Sequence, residues 1–319
     1  MALAEWGVVG LGRIGGGLAA QALKIGRTTA GFDLAGASPE LRASGLVEAA
    51  SLGELVSLLE TPRIIFLYVH AGKTVDEVMS ALAETLEPGD LIVDGGNSYW
   101  GDSLQRHAWC LERELEFIDL GTSGGVQGAS SGACFMAGGS EASFRRIKPL
   151  LNDLAVEGGV VHAGGPGCGH FVKLVHNGIE FGMMQAIGEG LALMEASELE
   201  PRIPETLECW RHGSVIRSWL VDLLAEAMAE PDTLAKTPSW IEDTGEVNWL
   251  VQDAVRMEVP APVITQSVIQ LFASRDQTQT WAKAIALMRL GFGGHKLGPI
   301  KALEEERKSA RIGGVFEGS

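Results

Sequence analysis

In the first half of the chain, short β-rich runs alternate with longer stretches whose apolar residues recur three and four positions apart. The pattern predicts strands at Trp6 to Val9, Thr29 to Asp33, Ile64 to Val69, Leu91 to Asp94 and Phe117 to Leu120, with helices between them. Strands and helices in that rhythm predict a doubly wound parallel sheet. Breakers at Gly10 to Gly17, Pro88-Gly89, Gly95-Gly96 and Gly124-Gly125 fall mostly just past the carboxyl ends of strands, where such sheets bind ligands. After Gly164-Gly165-Pro166-Gly167-Cys168-Gly169 the period becomes helical. It predicts a long helix from His170 to about Ser197, others around Pro204 to Met228 and Val247 to Met257, then Val263 to Leu290. The expected division is therefore an α/β domain over residues 1–165 and an all-α C-terminal domain over residues 166–319. The charged tail from Glu304 to Arg311 is expected to cap or extend a last helix.

Composition narrows the partners. With 46% hydrophobic and 21% charged residues in 319, the chain can bury a full core. Its 25 basic and 41 acidic side chains leave a formal charge of −16, which argues against nucleic acid or an anionic membrane as partner. An anionic ligand must meet a local basic pocket. Cys110, Cys134, Cys168 and Cys209 form no CxxC pair and read as reduced, partly buried thiols. The chain opens Met1-Ala2-Leu3-Ala4-Glu5 without a basic leader. No uninterrupted apolar run reaches the ~20 residues of a membrane span, so the expected compartment is cytoplasmic.

Gly10-Leu11-Gly12-Arg13-Ile14-Gly15 follows the first predicted strand and opens a helix. The first glycine permits a tight turn, the second lets backbone approach a pyrophosphate, and the third allows close helix packing, while the helix amino end supplies unpaired N–H donors. Asp33 ends the second strand about 20 residues on, where a carboxylate takes the adenosine ribose hydroxyls. That carboxylate repels a 2′-phosphate, and Leu34-Ala35-Gly36-Ala37 carries no Lys or Arg to neutralise one. The reading is a Rossmann-type domain that binds NAD in preference to NADP.

The most informative segment is His170-Phe171-Val172-Lys173-Leu174-Val175-His176-Asn177-Gly178-Ile179-Glu180. On a helix, Lys173, His176, Asn177 and Glu180 stand at i, i+3, i+4 and i+7 and share one face. Gly178 inside a helix costs about 1 kcal/mol relative to alanine, so a close approach is expected there. Val93-Asp94-Gly95-Gly96-Asn97-Ser98 and Asp119-Leu120-Gly121-Thr122-Ser123-Gly124-Gly125 place polar side chains and open backbone just after strands, suited to carboxylates and hydroxyls. Arg289-Leu290-Gly291-Phe292-Gly293-Gly294-His295 offers two further anion ligands.

Together the DGGNS, GTSGG, HFVKLVHNGIE and FGGH segments resemble the 6-phosphogluconate dehydrogenase family, in its short form that lacks a duplicated helical region. The resemblance implies NAD-dependent oxidative decarboxylation of 6-phosphogluconate to ribulose 5-phosphate, CO2 and NADH. By position it makes Lys173 the base for the C3 hydroxyl and Glu180 the acid that protonates C1 of the resulting enediol. Ser123, Gly124 and Gly125 are implied to bind the substrate carboxylate, His176 and Asn177 its hydroxyls, and Asn97 both substrate and nicotinamide. Val69, His70 and Ala71 are implied at the cofactor, and no metal is required. Arg289 and His295 match the family's phosphate-binding tail, which reaches a partner subunit's site. That implies a homo-oligomer, dimer or tetramer, with a shared active site and a small-molecule sugar acid as substrate.

Three places depart from the family's pattern. Phe181 stands where a tyrosine binds the 6-phosphate, and a phenyl ring cannot donate that hydrogen bond. In Glu242-Asp243-Thr244-Gly245-Glu246-Val247-Asn248-Trp249, Val247 and Asn248 replace an expected Gly and Arg, and His70 stands where proline is more familiar. Two alternatives stay open: the same chemistry on gluconate or another C6-substituted sugar acid, and an NAD-binding sensor without turnover.

Overall fold

The computed structural model describes residues 3–293 and 296–301, so His295 and the tail from Glu304 to Arg311 lie outside the described residues. Among the described residues, eight strands form one sheet: β1 (Trp6–Val9), β2 (Thr29–Phe32), β3 (Val47–Glu48), β4 (Ile64–Leu67), β5 (Leu91–Asp94), β6 (Glu116–Ser123), β7 (Ala133–Gly139) and β8 (Ala155–Gly164). Their spatial order is β3-β2-β1-β4-β5-β6-β7-β8. The order reverses between β1 and β4, which opens the ligand crevice of a doubly wound sheet at their carboxyl ends. Interleaved are α1 (Gly15–Lys24), α2 (Pro39–Ala43), α3 (Leu52–Ser57), α4 (Lys73–Ala83), α5 (Trp100–Leu111), α6 (Gly125–Ser131) and α7 (Glu141–Leu154).

Alternate strand residues feed opposite faces, and both faces are apolar, as a sheet covered on two sides requires. Trp6, Val8, Phe66 and Val93 pack with α1, α2, α6 and α7. Val9, Ile65, Leu67 and Ile92 pack with α3, α4 and α5. The Rossmann-type architecture is as expected, but the sheet is not wholly parallel: β7 runs antiparallel to β6, with Ser123 opposite Cys134, and β8 then pairs parallel to β7. The sequence pattern missed β3, β7 and β8. β3 is only two residues, and the glycines of Ala133–Gly139 and Ala155–Gly164 broke the apolar period.

The helical half follows as α8 (Cys168–Glu195), α9 (Ile203–Gly213), α10 (Trp219–Met228), α11 (Thr233–Lys236), α12 (Glu246–Arg256), α13 (Pro262–Arg275) and α14 (Thr280–Gly293). The long helix begins at Cys168 rather than His170. The segments expected around Pro204 to Met228 and at Val263 to Leu290 are each interrupted. Ser218 caps α10 by accepting the Val221 N–H at 3.3 Å. Asp276 accepts the N–H groups of Thr278 and Gln279 at 3.0 and 2.9 Å, and this local turn competes with continuing the helix.

Among the described residues two compact units emerge: one runs to Lys236 and takes in Asp243–Val268, and the other joins Thr237–Glu242 to those from Ile269 to Lys301. In the first, Leu174 of α8 packs with Val247 and Leu250 of α12, while Leu191 packs with Ile203, Leu207 and Ala225 of α9 and α10. In the second, Arg275 reaches the Glu242 carboxylate at 3.1 Å and the Ile241 N–H reaches the Ser274 hydroxyl at 3.3 Å.

Candidate active site

α8 is set on the sheet by a buried carboxylate. Asp119 of β6, wholly buried, accepts the N–H groups of Gly167 and His170 at 2.8 and 2.9 Å. It thereby satisfies donors that the first turn of α8 leaves free, at the positive end of that helix. The approach is close: a Cβ at Gly121 would lie 2.5 Å from the Lys173 Cβ, and one at Gly169 would lie 2.2 Å from the Asp119 carbonyl oxygen. Glycine at both positions therefore lets α8 bring Lys173 against β6. Gly178 answers to packing as well, since a Cβ there would lie 2.4 Å from Leu250 Cδ2. The close approach expected at Gly178 is made by α12.

A cleft of about 1520 Å³ runs across the carboxyl ends of the strands. At one end lies the glycine turn. Gly10 has φ +93°, and a Cβ on it would lie 2.3 Å from the Tyr68 carbonyl oxygen; one on Gly15 would lie 2.0 Å from the Gly10 oxygen. Gly12 differs, because its Cβ would meet nothing within 4 Å, so bare backbone borders the cleft there. Arg13 and Ile14 line the same stretch, and α1 opens without a side-chain cap or an acid in its first turn. Its free N–H groups and dipole suit a pyrophosphate. Asp33 accepts the Leu11 N–H at 2.7 Å and the Ala35 N–H at 2.8 Å, which leaves lone pairs for ribose hydroxyls. Leu34 beside it is 96% exposed. These residues fit a dinucleotide.

Leu11 contributes its amide to Asp33 and packs its side chain over Gly31 rather than lining the cleft. Val69 and His70 line it, and Ala71 is exposed beside them. Tyr68, missed by the sequence reading, lines the cleft and places its hydroxyl 3.1 Å from the Thr122 hydroxyl, tying the end of β4 to β6. Burial pushes its phenol pKa up.

At the other end, Lys173, His176, Asn177 and Glu180 of α8 face Asn97, Ser123, Gly124 and Gly125. His176 Nε2 lies 3.0 Å from the Ser123 hydroxyl, and its Nδ1 lies 3.4 Å from Lys173 Nζ and 3.2 Å from Asn177 Oδ1. Asn177 Nδ2 donates toward Asn97 Oδ1 at 3.4 Å and Glu246 Oε1 at 3.5 Å. The Glu180 carboxylate stands 3.7 Å from His176 Nδ1. Burial lowers the Lys173 pKa against the opposing pull of Glu180 and Glu246. Burial, and then Lys173, likewise lower that of His176. A half-buried amine with a depressed pKa, beside a histidine that favours its neutral form, is a better proton acceptor than a free lysine ammonium allows.

The loop bearing Asn97 is clamped from beneath. Asp94, fully buried, accepts the Ser98 hydroxyl at 2.8 Å, the Gly96 N–H at 3.1 Å and Arg106 Nη1 at 3.0 Å. Arg106, 4% exposed, also bonds Asp76 at 2.7 Å and the Gly72 carbonyl at 3.0 Å. Neither Asp94 nor Arg106 was singled out as part of this support. Phe181 lines the cleft and packs with the cluster around Leu174 and Leu250. Glu246 and Trp219 also line it and were missed. Glu246 lies in the stretch from Glu242 to Trp249 compared above with the family's pattern, directly behind Gly245, which caps α12 in the left-handed region at φ +79°. Arg289 is exposed on α14 in the second unit.

Among the described residues, no group of three His, Cys, Asp or Glu side chains is arranged to hold a metal, and no helix is long and apolar enough to cross a membrane. Cys110 is buried, Cys168 half-buried, and Cys134 and Cys209 are exposed, all as free thiols.

A Rossmann-type sheet with its glycine turn, followed by a helix that carries a half-buried lysine into the same cleft, defines a dinucleotide-dependent oxidoreductase. Residues 5–164 match the NAD-binding domain of 6-phosphogluconate dehydrogenase and residues 169–307 match its C-terminal domain, so the chain belongs to the 6-phosphogluconate dehydrogenase family. It is 38% identical over 290 residues to a Bacillus subtilis protein provisionally named a 6-phosphogluconate dehydrogenase, covering 91% of this chain and 97% of the relative. It is 35% identical over 296 residues to the NAD(+)-dependent, decarboxylating 6-phosphogluconate dehydrogenase of Haloferax volcanii, covering 92% of this chain and 98% of the relative. Among solved structures, Plasmodium falciparum 6-phosphogluconate dehydrogenase superposes with a TM-score of 0.78 at 26% identity, over 93% of this chain and 66% of that one.

Proposed function

We propose that the protein oxidises and decarboxylates a sugar acid with NAD, taking 6-phosphogluconate to ribulose 5-phosphate, CO2 and NADH. The observation that carries this reading is Lys173, its pKa lowered by burial, in one cleft with the Gly12 backbone and the Ser123 loop. NAD, when bound along the glycine turn, supplies the hydride acceptor. Lys173 Nζ takes the proton of the C3 hydroxyl as hydride leaves C3, giving a 3-keto acid. The ammonium so formed hydrogen-bonds the ketone oxygen, which accepts the electron pair when the C1–C2 bond breaks and CO2 departs. Lys173 passes its proton to that oxygen, giving the enediol; Glu180 then donates a proton to C1 as Lys173 takes the enediol hydroxyl proton back, and Glu180 regains a proton from solvent while Lys173 releases one. Ser123 and the N–H groups of Gly124 and Gly125 hold the substrate carboxylate, His176 and Asn177 hold hydroxyls, and Asn97 bridges substrate and nicotinamide. Arg289 and His295 complete a neighbouring subunit's site, in a homo-oligomer that a solution mass would reveal.

Phe181 favours a second reading, the same reaction on gluconate or another aldonate without a 6-phosphate. Both are tested by following NADH and CO2 with 6-phosphogluconate and gluconate in parallel. One CO2 per NADH is expected from the preferred acid. NADH without CO2 would sink decarboxylation, and no NADH from either acid would sink the reading.

The NAD preference is tested at Asp33. Replacing Asp33 by Ser together with Leu34→Arg removes the charge opposing a 2′-phosphate and adds one that attracts it. The NADP-to-NAD ratio of kcat/KM is expected to rise about 100-fold or more, roughly 2.7 kcal/mol of changed discrimination. A ratio that moves less than threefold would place adenosine selectivity elsewhere.

A further inference from the structure

We propose that Asp253 is a positioning residue: by clamping the start of α5 to α12, it holds the amides of Asn97 and Asn177 at the spacing that receives the sugar acid. The proposal rests on the sugar-acid reading above. Glu246, Leu250 and Asp253 stand at i, i+4 and i+7 on α12 and so share one of its faces. Each meets a different part of the site. Glu246 enters the cleft near Lys173, where its charge opposes the effect of burial on that lysine. Leu250 fills the space that Gly178 leaves on α8. Asp253 lies two turns beyond Glu246, about 10 Å along the helix axis, and is 3% exposed.

The Asp253 carboxylate takes its donors from the segment that follows Asn97. Trp100 Nε1 donates to Oδ2 at 2.6 Å, and the Tyr99 hydroxyl donates to Oδ1 at 3.4 Å. Arg256, 56% exposed on the same helix, donates to Oδ1 at 3.0 and 3.2 Å and balances the charge. Aromatic rings close the junction: Tyr99 packs on Trp249 of α12 with centroids 5.5 Å apart, and Trp100 meets Phe171 of α8 edge to face at 6.0 Å. The three helices are therefore joined at two levels. One is Asp253 with these rings; the other is Asn177, which donates to Asn97 Oδ1 at 3.4 Å and to Glu246 Oε1 at 3.5 Å. Bonds that long stand at the limit of hydrogen bonding, so a small shift between α5 and α12 breaks one of them. The short bond from Trp100 to a buried carboxylate opposes that shift, because breaking it strands a polar atom away from water.

The test uses the full-length protein, whichever of 6-phosphogluconate and gluconate it prefers, and the variants Asp253→Leu, Trp100→Phe and the two together. Asp253→Leu removes the acceptor at similar volume, and Trp100→Phe removes the indole N–H while keeping a ring against Phe171. Each single change is expected to raise KM for the acid about fivefold to tenfold, with the NAD dissociation constant within about twofold of wild type. The double variant is expected to stay within about twofold of the larger single effect, because both changes break the same bond. A clamp that only stabilised the fold would lower the urea midpoint and leave KM alone. KM within twofold of wild type in either single variant, effects that multiply in the double, or an equal loss of NAD affinity overturns the proposal. If Asp253→Leu does not fold, the KM and the NAD affinity of Trp100→Phe decide. Should the wild type form NADH from neither acid, the functional reading fails separately. Kd values for the two acids by titration calorimetry, with NAD present, then decide Asp253 by the same criteria. Absence of binding by both acids also overturns it.

Discussion

Lys173→Met is expected to lower kcat by about 10³-fold to 10⁴-fold while leaving the NAD dissociation constant within a few-fold of wild type. The lysine acts twice in the proposed reaction, first as the base at the C3 hydroxyl and then as the hydrogen-bond donor to the ketone. Removal of a general base alone costs about 10²-fold to 10⁴-fold. NAD binding survives because the glycine turn, α1 and Asp33 are built from the other end of the cleft. Equilibrium NAD titration and single-turnover rates check the two halves. A variant retaining more than a tenth of wild-type kcat would remove Lys173 from the chemistry.

The same residue predicts a pH signature. Burial lowers its pKa, so kcat/KM should rise with pH and level off below the value of about 10.4 typical of a free lysine. The stability effect has the opposite sign to that of a lysine gaining an ion pair. The charged form is disfavoured in the folded chain, so its cost is fully present below the folded pKa and disappears above the unfolded one. Lys173→Met should therefore unfold at a higher urea midpoint than wild type at neutral pH, with the advantage shrinking above about pH 10. An equal advantage at every pH would mean that the gain comes from packing and not from charge.

Arg106→Ala is expected to be the most damaging change to stability outside the hydrophobic clusters. Arg106 pairs with Asp94 at 3.0 Å, and the two side chains are 4% and 0% exposed. Removing one member of a buried pair leaves an uncompensated charge and costs about 3–5 kcal/mol, a large part of the 5–15 kcal/mol typical of a folded domain. The Asp94 partners Ser98 and Gly96 flank Asn97, so the KM for the sugar acid should rise as well. Urea unfolding measures the first effect. The double variant with Asp94→Asn should recover part of the loss, because the stranded carboxylate is gone. A loss below about 1 kcal/mol in Arg106→Ala would show that Asp94 is satisfied without it.

Parts of this site were legible because their signals are local. The turn from Gly10 to Gly15 with Asp33 at the next strand end needs only a strand, a tight bend and a helix in succession, and the chain has them at β1, α1 and β2. The face formed by Lys173, His176, Asn177 and Glu180 follows from 3.6 residues per turn, and all four line one cleft. The family was legible for the same reason, since its characteristic segments are short and continuous.

What local pattern could not reach depends on residues distant in sequence. β7 and β8 are rich in glycine and read as loops, yet β7 pairs antiparallel with β6 because strand pairing, not apolar period, holds it there. Asp119 sits 48 residues before Gly167, whose N–H it accepts, and no periodicity announces that a strand carboxylate will cap α8. Glu246 comes into the cleft from α12, 69 residues after the Asn177 it meets, and Leu250 rather than a ligand accounts for Gly178. Sequence alone thus settled the Rossmann-type class with its helical second half, the dinucleotide turn and the polar stripe of α8, because backbone geometry repeats over a few residues. Only the packed chain decided how deeply Lys173 is desolvated, what clamps Asn97 and which carboxylates face the substrate, because burial and electrostatic coupling arise where separate elements meet.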